Sequence, residues 1–109
     1  MSKLLKLDPR QDGVFCYNDP IGVGALDTIL GAGLRVPEDV AVIGCGNLQY
    51  DKSLRVPLSS VDQQSAAIGE RAAKLALSLI QARTPLRPKS IILEARVVPR
   101  VSTQRKPTS

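Results

Sequence analysis

Two short runs of β-forming residues, separated by one helix-length segment, constrain the fold of this chain more than any other feature. The first run, Gly13–Tyr17, stops at an Asn-Asp-Pro step, and the second, Val40–Gly44, is continuously apolar. A strand, a helix and a second strand in this order form a βαβ unit, whose strands pair in parallel through a right-handed crossover. We expect both strands to be buried, and the second to be covered on both faces because it lacks alternation.

The helix of this unit has recognisable ends. Asp19 can accept hydrogen bonds from free N–H groups as the N-cap, and Pro20 suits the first helical position. Gly33 is a typical stop after the last turn. The apolar residues lie in two stripes at helical spacing. One stripe should face the sheet, and the other indicates a partner surface or a helix buried on both sides. The first stripe is Ile21, Ala25 and Ile29, and the second is Val23, Leu26 and Leu30.

The second half of the chain adds further elements. Leu58–Asp62 is a candidate strand, and Ser65–Gln81 has the composition of a strong helix. Ser90–Val98 is interpreted as a strand, and Pro99–Ser109 as a polar, frayed end. The elements together predict an α/β fold, a parallel sheet with flanking helices. The core stripe of the 65–81 helix is Ile68, Ala72, Leu75 and Leu79.

The composition excludes several classes of function. The chain has 109 residues, 43% of them hydrophobic, which allows one small domain with a packed core. It has no histidine, which removes a Ser-His-Asp triad, a Cys-His pair and most zinc sites. Its longest apolar runs are far shorter than the ~20 residues of a membrane-spanning helix. Cys16 and Cys45 do not make a disulfide framework, and two buried thiols in a reducing cytoplasm are the simplest interpretation.

Positive charge is concentrated at the C-terminal end. Residues 1–82 carry eight basic and nine acidic side chains, net −1, whereas residues 83–109 carry seven basic side chains and one acidic, net +6. Such a tail is attracted to nucleic acid or to an acidic partner. The alternative, which we favour, is a solvated terminus without a partner, because the basic residues form no helix face and no aromatic residues lie between them.

Polar residues follow both strands of the βαβ unit, residues 17–19 after the first and residues 45–47 after the second. Because ligands of open α/β sheets bind outside the carboxyl ends of the strands, these two loops should converge on one crevice. Asn18 and Asn47 can each donate and accept, which suits the hydroxyls of a sugar or nucleoside, and Tyr17 offers a ring face. The alternative is that the Asn-Asp step only caps the helix.

The end of the second strand has two other interpretations. Its two glycines suggest a phosphate-binding turn, but the dinucleotide fingerprint needs a third glycine and a helix directly after it. Cys45 would be a nucleophile only with a base or a helix N-terminus beside it to form the thiolate. Asp19 and Asp62 are candidate bases, yet nothing in the spacing pairs either of them with Cys45. We therefore predict that the chain is not an enzyme, with a cysteine-dependent enzyme as an alternative.

Four motifs occur along the chain in a characteristic order: Phe15-Cys-Tyr-Asn-Asp19, Gly33-Leu-Arg-Val-Pro-Glu-Asp-Val40, Pro57-Leu-Ser-Ser-Val-Asp-Gln63 and Arg100-Val-Ser-Thr103. Together they resemble the LacI/GalR-type transcriptional regulators, and the resemblance extends from about Leu4 to Thr103. It implies a periplasmic-binding-protein-like effector domain, in which two α/β subdomains close on a small molecule, often a sugar or nucleobase. The fold expected from it is therefore a partial fold of that type.

The resemblance implies a division of the chain into three parts. Residues 1–56 would belong to the C-terminal effector-binding subdomain and contain the βαβ unit. Residues 57–89 would cross the hinge and supply one helix of the N-terminal subdomain, and residues 90–109 would hold the returning strand and the basic tail. The first helix and the segment after the second strand would form the interface of a homodimer. The residues facing the partner would be Val23, Leu26, Asp27, Tyr50 and Leu54.

Two positions match ligand-contacting positions of the family. Asn18 lies where the family has a ligand-contacting asparagine, and Gly46 lies where many members have an aspartate that binds two ligand hydroxyls. Glycine supplies no carboxylate for those charge-assisted bonds. Either the pocket is larger at Gly46, or Asn47 takes the role with its amide. With Tyr17, these residues are the predicted ligand-binding set.

The resemblance implies a cytoplasmic regulator that binds a sugar-like effector, forms a homodimer and uses no cofactor or metal. A fragment of a solute-binding protein of the same fold is the alternative. The family's helix-turn-helix, its hinge helix and most of the first subdomain do not occur in this sequence, so DNA would be bound only through a domain absent from it. We expect a fragment or truncated gene product. The Ile68, Leu75 and Leu79 face of its second helix should be exposed, so the chain should self-associate or pack its second half differently from the family.

Overall fold

The computed structural model describes residues 1–107, which contain one four-stranded sheet with the strand order β1-β2-β3-β4. Two longer helices and one short helix accompany it. The elements are α1 (Ser2–Leu5), β1 (Gly13–Phe15), α2 (Asp19–Gly31), β2 (Ala41–Cys45), β3 (Ser59–Asp62), α3 (Ser65–Gln81) and β4 (Arg96–Val98), with 3₁₀ turns at Gln49–Ser53 and Val101–Thr103.

The predicted βαβ unit is confirmed. β1 and β2 pair in parallel with Val14 opposite Val42, and β2 and β3 pair in parallel with Gly44 opposite Ser60. β4 is antiparallel to β3, so the sheet is mixed, with three parallel strands and one reversed strand. Helix α2 ends as predicted, just before Gly33. This residue has a φ of 78°, a left-handed conformation that glycine tolerates best and that stops the helix.

The core lies between α2 and one face of the sheet. Its helix side combines Ala25 and Ile29 of the first predicted stripe with Leu26 of the second, because a sheet-facing helix surface is wider than one row of residues. Ile21, which the first stripe also contained, is exposed. The core residues are Cys16, Ala25, Leu26, Ile29, Val36, Val40, Val42 and Leu58.

The burial of the two predicted strands differs from the expectation. β1 is an edge strand, and its Phe15 is 64% exposed, so the prediction of a buried first strand is wrong. In β2 the buried residues Val42 and Gly44 alternate with half-buried Ile43 and Cys45. The prediction that β2 is covered on both faces is therefore wrong as well, since α2 covers one face only.

Helix α3 has the predicted bounds, Ser65–Gln81, and none of its residues is buried. Ile68 and Leu79 are exposed and Leu75 is half-buried, so the expected exposure of this apolar face is confirmed. The chain measures 63 × 26 × 24 Å with a radius of gyration of 19.1 Å, against the ~13 Å typical of a compact domain of about 100 residues. The long axis arises because α3 projects without a sheet beneath it.

The C-terminal segment is ordered differently from the expectation. Only Arg96–Val98 of the predicted strand Ser90–Val98 pairs with the sheet, because Ile91–Leu93 has no neighbouring strand among the described residues. The end of the chain is not frayed as far as Arg105, whose Nε donates to Pro37 O at 2.7 Å. Ser102 is fully buried and lies across the sheet. Thr108 and Ser109, which were included in the polar tail, lie outside the described residues.

Among the elements of residues 1–107, none is a helix of the length and hydropathy needed to cross a lipid bilayer.

Candidate functional site

A polar cleft of about 370 Å3 lies at the carboxyl ends of β2 and β3, beside the first turn of α3. This is the end of a parallel sheet at which ligands of α/β proteins bind. Asp62 Oδ1 accepts a hydrogen bond of 2.7 Å from the N–H of Gln64 and so holds the turn that starts α3. The cleft is lined by Gly46, Asn47, Asp62, Gln64, Ser65, Ala66 and Ala67.

The floor of the cleft is a turn with two successive residues of positive φ, 124° at Gly46 and 53° at Asn47. The N–H of Gly46 donates to Val61 O, and the N–H of Asn47 donates to Ser60 Oγ, both at 2.9 Å. Asparagine tolerates the left-handed region, but the φ of Gly46 suits glycine alone. The backbone at Gly46 therefore disfavours an aspartate, and the cleft stays open at this position.

The side chain of Asn47 has a structural partner. Its Oδ1 accepts a hydrogen bond of 2.7 Å from Arg100 Nη2. Another nitrogen of the same guanidinium, Nη1, donates to Leu58 O at 2.8 Å, which ties the cleft floor to the C-terminal segment. The amide NH2 group of Asn47 remains for a ligand, and Oδ1 keeps one further lone pair beside its bond to Arg100.

Asn18, rather than Asp19, is the N-cap of α2, because its Oδ1 accepts from the N–H of Ile21 at 3.0 Å. The prediction of Asp19 as the N-cap is therefore wrong. The cap uses the side-chain oxygen of Asn18, so its NH2 group stays available to a ligand, as does that of Asn47. Tyr17 is 83% exposed and lies on a different surface pocket, beside Phe15 and Ile21. Ligand binding by Tyr17, Asn18, Gly46 and Asn47 stays a prediction.

Asp19 is instead a fully buried anchor beneath the cleft. Its Oδ1 accepts from Ser60 Oγ at 2.7 Å, and its Oδ2 accepts from the N–H of Leu48 at 2.9 Å. Burial raises the pKa of Asp19, but contact with Asp51 and the bonds from Leu48 and Ser60 lower that pKa more, so it lies below its ordinary value. An ionised Asp19 also suits the first turn of α2, where the helix dipole favours negative charge.

Sequence reasoning missed three residues that build this site: Asp51, Ser60 and Arg100. Each contacts groups far away in the chain, as in the bond from Arg100 to Asn47. Such contacts leave no periodic pattern. The one available signal was the position of Arg100 inside a matched motif, since an arginine among small polar residues suggests a specific partner rather than a solvated tail.

The two thiols lie in different surroundings, and only Cys16 is buried as the sequence suggested. Burial raises the pKa of the Cys16 thiol, which keeps it protonated. Cys45 is half-buried, and its Sγ accepts a hydrogen bond of 3.1 Å from Gln63 Nε2. Over residues 1–107, no group of three or more carboxylate or thiol side chains is placed to hold a metal ion.

A second surface feature is an apolar groove of about 320 Å3 between α2 and the segment that follows the 3₁₀ turn. It contains four of the five residues predicted to face a dimer partner. Leu26 is only 4% exposed and belongs to the core, so it forms the floor of the groove. Tyr50, the fifth, is 40% exposed outside it. The groove is lined by Val23, Leu26, Asp27, Leu30, Gly31, Leu54, Arg55 and Val56.

The mixed sheet, its flanking helices and the polar cleft at the strand ends define a periplasmic binding protein-like domain. The chain belongs to that family, whose model matches residues 1–103. Within it, the chain is the C-terminal part of the effector domain of a LacI/GalR-type transcriptional regulator, as the following relatives indicate.

Curated relatives are repressors. The chain is 41% identical over 75 residues to the HTH-type transcriptional repressor PurR of Mannheimia succiniciproducens, which covers 69% of the chain and 22% of the relative. It is 30% identical over 105 residues to PurR of Actinobacillus pleuropneumoniae serotype 3, and this alignment covers 95% of the chain and 31% of the relative. The chain thus spans less than a third of the length of these relatives.

Solved structures of the same family superpose on nearly the whole chain. The complex of the transcriptional regulator CelR with cellobiose has a TM-score of 0.85 and 34% identity, and covers 93% of this chain and 31% of that one. A LacI family transcriptional regulator from Arthrobacter sp. FB24 in complex with lactose has a TM-score of 0.83 and 32% identity, and covers 94% and 38%. The second half of the chain thus adopts the family geometry. Of the two expected alternatives, different packing is wrong and self-association stays a prediction.

Proposed function

We propose that this chain supplies one wall of the effector cleft and part of the dimer interface of a DNA-binding transcriptional regulator. The effector is a small molecule, a sugar or a related metabolite. The observation that carries this proposal is the cleft at the ends of β2 and β3, which the first turn of α3 closes on one side. Two relatives of the same fold are described as complexes with cellobiose and with lactose.

The chemistry of the cleft supports a neutral, hydroxyl-rich ligand. Asn47 lines the cleft and keeps its NH2 group as a donor, because its oxygen accepts from Arg100. Asn18 lies outside the lining, at the start of α2, and likewise keeps its NH2 group, because its oxygen accepts from Ile21. Hydroxyl and ring oxygens of a sugar accept such bonds. Gly46 supplies no carboxylate, so the hydroxyls of the ligand are left to the Asp62 carboxyl group and to the amide and hydroxyl side chains of the lining. The space above the bare Cα of Gly46 admits a bulkier substituent there.

The proposed layout has residues 1–56 in the C-terminal subdomain, residues 57–89 crossing the hinge, and residues 90–109 returning from it. The exposed apolar face of α3 supports this layout, because a helix with no buried residue needs a sheet to cover its apolar stripe. In a longer regulator the rest of the N-terminal subdomain would cover that face. Operator DNA would be bound by a further domain in the cytoplasm, not by these residues.

Sugar binding by the cleft can be measured by NMR on the isotopically labelled chain titrated with lactose and with cellobiose. We expect weak binding, with chemical-shift changes confined to the amides of the cleft, because one wall alone buries only part of a ligand. Ala66→Tyr, in the first turn of α3, should fill the cleft and remove these changes. Ala73→Tyr is the matched control, since it places the same side chain on the exposed part of α3.

Shift changes that persist unchanged in Ala66→Tyr would assign the sugar to another surface. The absence of any change with both disaccharides, in a chain whose spectrum is folded, would contradict a sugar-like effector held by this wall.

We further propose that the groove between α2 and residues 54–56 is the contact surface of a homodimer. Asp27 and Arg55 carry opposite charges on the same apolar groove and are both exposed. In a two-fold interface the same patch meets itself, so Asp27 of one chain can face the partner's Arg55 and the reverse pair forms by symmetry. Val23, Leu54 and Val56 would supply the apolar contact.

Charge reversal tests this arrangement. Asp27→Arg or Arg55→Asp should each weaken dimerisation roughly tenfold, because each replaces two attractive pairs by repulsive ones. The double variant restores both pairs and should regain most of the affinity. Sedimentation equilibrium measures the dimer constant. Association that is equally strong in all four proteins would contradict the groove and would indicate another surface, such as the exposed face of α3.

A further inference from the structure

Asp51 has a buried carboxyl group that is paired only loosely, with an arginine. It lies in the 3₁₀ turn Gln49–Ser53 and is 0% exposed. Among the described residues, neither of its oxygens receives a hydrogen bond. The nearest cation is Arg100, whose Nη1 lies 3.6 Å from Asp51 Oδ2, a separation too long for a hydrogen bond. Burying a charged carboxylate without a hydrogen bond costs free energy, so a further interaction is needed to explain why Asp51 is buried.

Asp19 lies next to Asp51, because both residues bind Leu48: the N–H of Leu48 donates to Asp19 Oδ2 at 2.9 Å, and Leu48 O accepts from the N–H of Asp51 at 3.1 Å. The two carboxyl groups interact with each other there. Two ionised carboxylates offer acceptors only, so such a contact is attractive only if one of them carries a proton. Asp19 already accepts bonds from Leu48 and Ser60, which favour its charged form. The proton therefore belongs on Asp51, which can donate it to Asp19.

From these contacts we propose that Asp19 and Asp51 share one proton, and that this proton latches the loop of residues 48–57 onto the sheet. The far end of the loop is fixed separately, because Pro57 O accepts from the N–H of Ser102 at 3.0 Å and because Leu54 and Val56 pack against the core. Its backbone is held where Leu48 donates to Asp19 and where the N–H of Leu58 donates to Asp51 O at 3.0 Å. The loop also carries Leu54 along the edge of the groove, so the latch controls the shape of that surface.

The charges around the pair agree with a single proton. The ionisable groups that face Asp51 are Asp19 on α2, Arg100 after β4 and Tyr50 on the same turn. Burial, and after it the contact with Asp19, raise the pKa of Asp51 to about 7, although Arg100 opposes the shift. Burial, and after it Asp51 and Asp19, raise the pKa of Tyr50, so its phenol stays neutral. With one proton on the pair, the two carboxyl groups together carry one negative charge, and it lies near the single positive charge of Arg100.

The direction of the pH effect follows from the pKa of Asp51. In the open loop Asp51 has an ordinary pKa of about 4, and in the latched loop its pKa is higher. Between these two pKa values the latched loop therefore binds one proton more than the open loop. The latched state becomes less stable relative to the open one as the pH rises through this range. The lowered pKa of Asp19 acts only at more acidic pH, so the two effects do not cancel.

The test is a pair of NMR measurements on the full chain. The side-chain carbonyl carbon of Asp51 should titrate near pH 7, and exchange protection of the Leu58 amide, corrected for intrinsic rates, should fall about 10- to 100-fold from pH 5 to pH 7.5. Asp51→Asn retains a donor toward Asp19 and should make this protection independent of pH. Asp8→Asn, at an exposed position, is the control and should keep the wild-type dependence.

An Asp51 carbonyl that titrates near pH 4 would overturn the proposal, and this measurement needs no variant. A loss of protection in Asp51→Asn that matches the wild type between pH 5 and pH 7.5 would overturn it as well.

Discussion

Replacing Gly44 with alanine is expected to destabilise the chain by about 3 kcal/mol or more. Gly44 lies in β2 where the first residue of α2 crosses it, and an added Cβ would overlap Asp19 Oδ1 and lie 3.2 Å from Asp19 Cα. The carboxylate cannot turn aside without losing its bond to Ser60. The methyl group therefore either pushes α2 off the sheet or leaves a buried charge poorly bonded.

Urea denaturation of the chain measures this cost, and Gly24→Ala is the matched control. Gly24 lies inside α2, and no heavy atom lies within 4 Å of the Cβ position that alanine would add. The same substitution should there stabilise the chain by about 0.5–1 kcal/mol, since alanine favours a helix. A cost below about 1 kcal/mol for Gly44→Ala would contradict the close approach of α2 and β2.

The parts of the fold that could be predicted from the sequence are those with local signals. Helix α3 was predicted with its bounds because its leucines and alanines repeat at helical spacing without interruption. The βαβ unit was predicted because Pro20 and Gly33 mark the two ends of α2. In both cases the residues that determine the element are neighbours in the chain, so propensity and periodicity are sufficient.

The errors occur where tertiary contacts decide. Asn18 and Asp19 are equally good caps by type, and only the donors from Ser60 and Leu48 draw Asp19 inward. The apolar run Ile91–Leu93 favours a strand, but a strand needs a neighbour to accept its hydrogen bonds. For β1 and β2, burial was inferred from the apolar sequence, yet burial depends on what covers each face.

The location of the candidate site could be predicted from the sequence, but its hydrogen bonds could not. The rule that ligands bind at the carboxyl ends of parallel strands located the Gly46-Asn47 turn. The resemblance added that Gly46 replaces an acidic residue. The bond from Arg100 to Asn47 could not be inferred, because it joins residues 53 positions apart in the chain.

Ser102→Ala is expected to destabilise the chain by about 2–4 kcal/mol, although sequence analysis assigned this residue to a polar, frayed end. Its hydroxyl donates to Val42 O at 2.6 Å and accepts from the N–H of Ser59 at 2.7 Å, and the residue is fully buried. Alanine keeps the volume nearly unchanged but leaves one backbone acceptor and one backbone donor inside the sheet without partners. Each unpaired group costs about 1–3 kcal/mol.

Ser78→Ala is the control for this prediction, because Ser78 also donates its hydroxyl to a backbone oxygen, that of Lys74, but on the exposed surface of α3. Water replaces that bond, and alanine is the better helix former, so the control should be neutral or slightly stabilising. Urea denaturation of both variants gives the comparison. Equal stability of the two variants would mean that residues 101–103 do not hold β2 and β3 together, and that the C-terminal segment is the solvated tail predicted from the sequence.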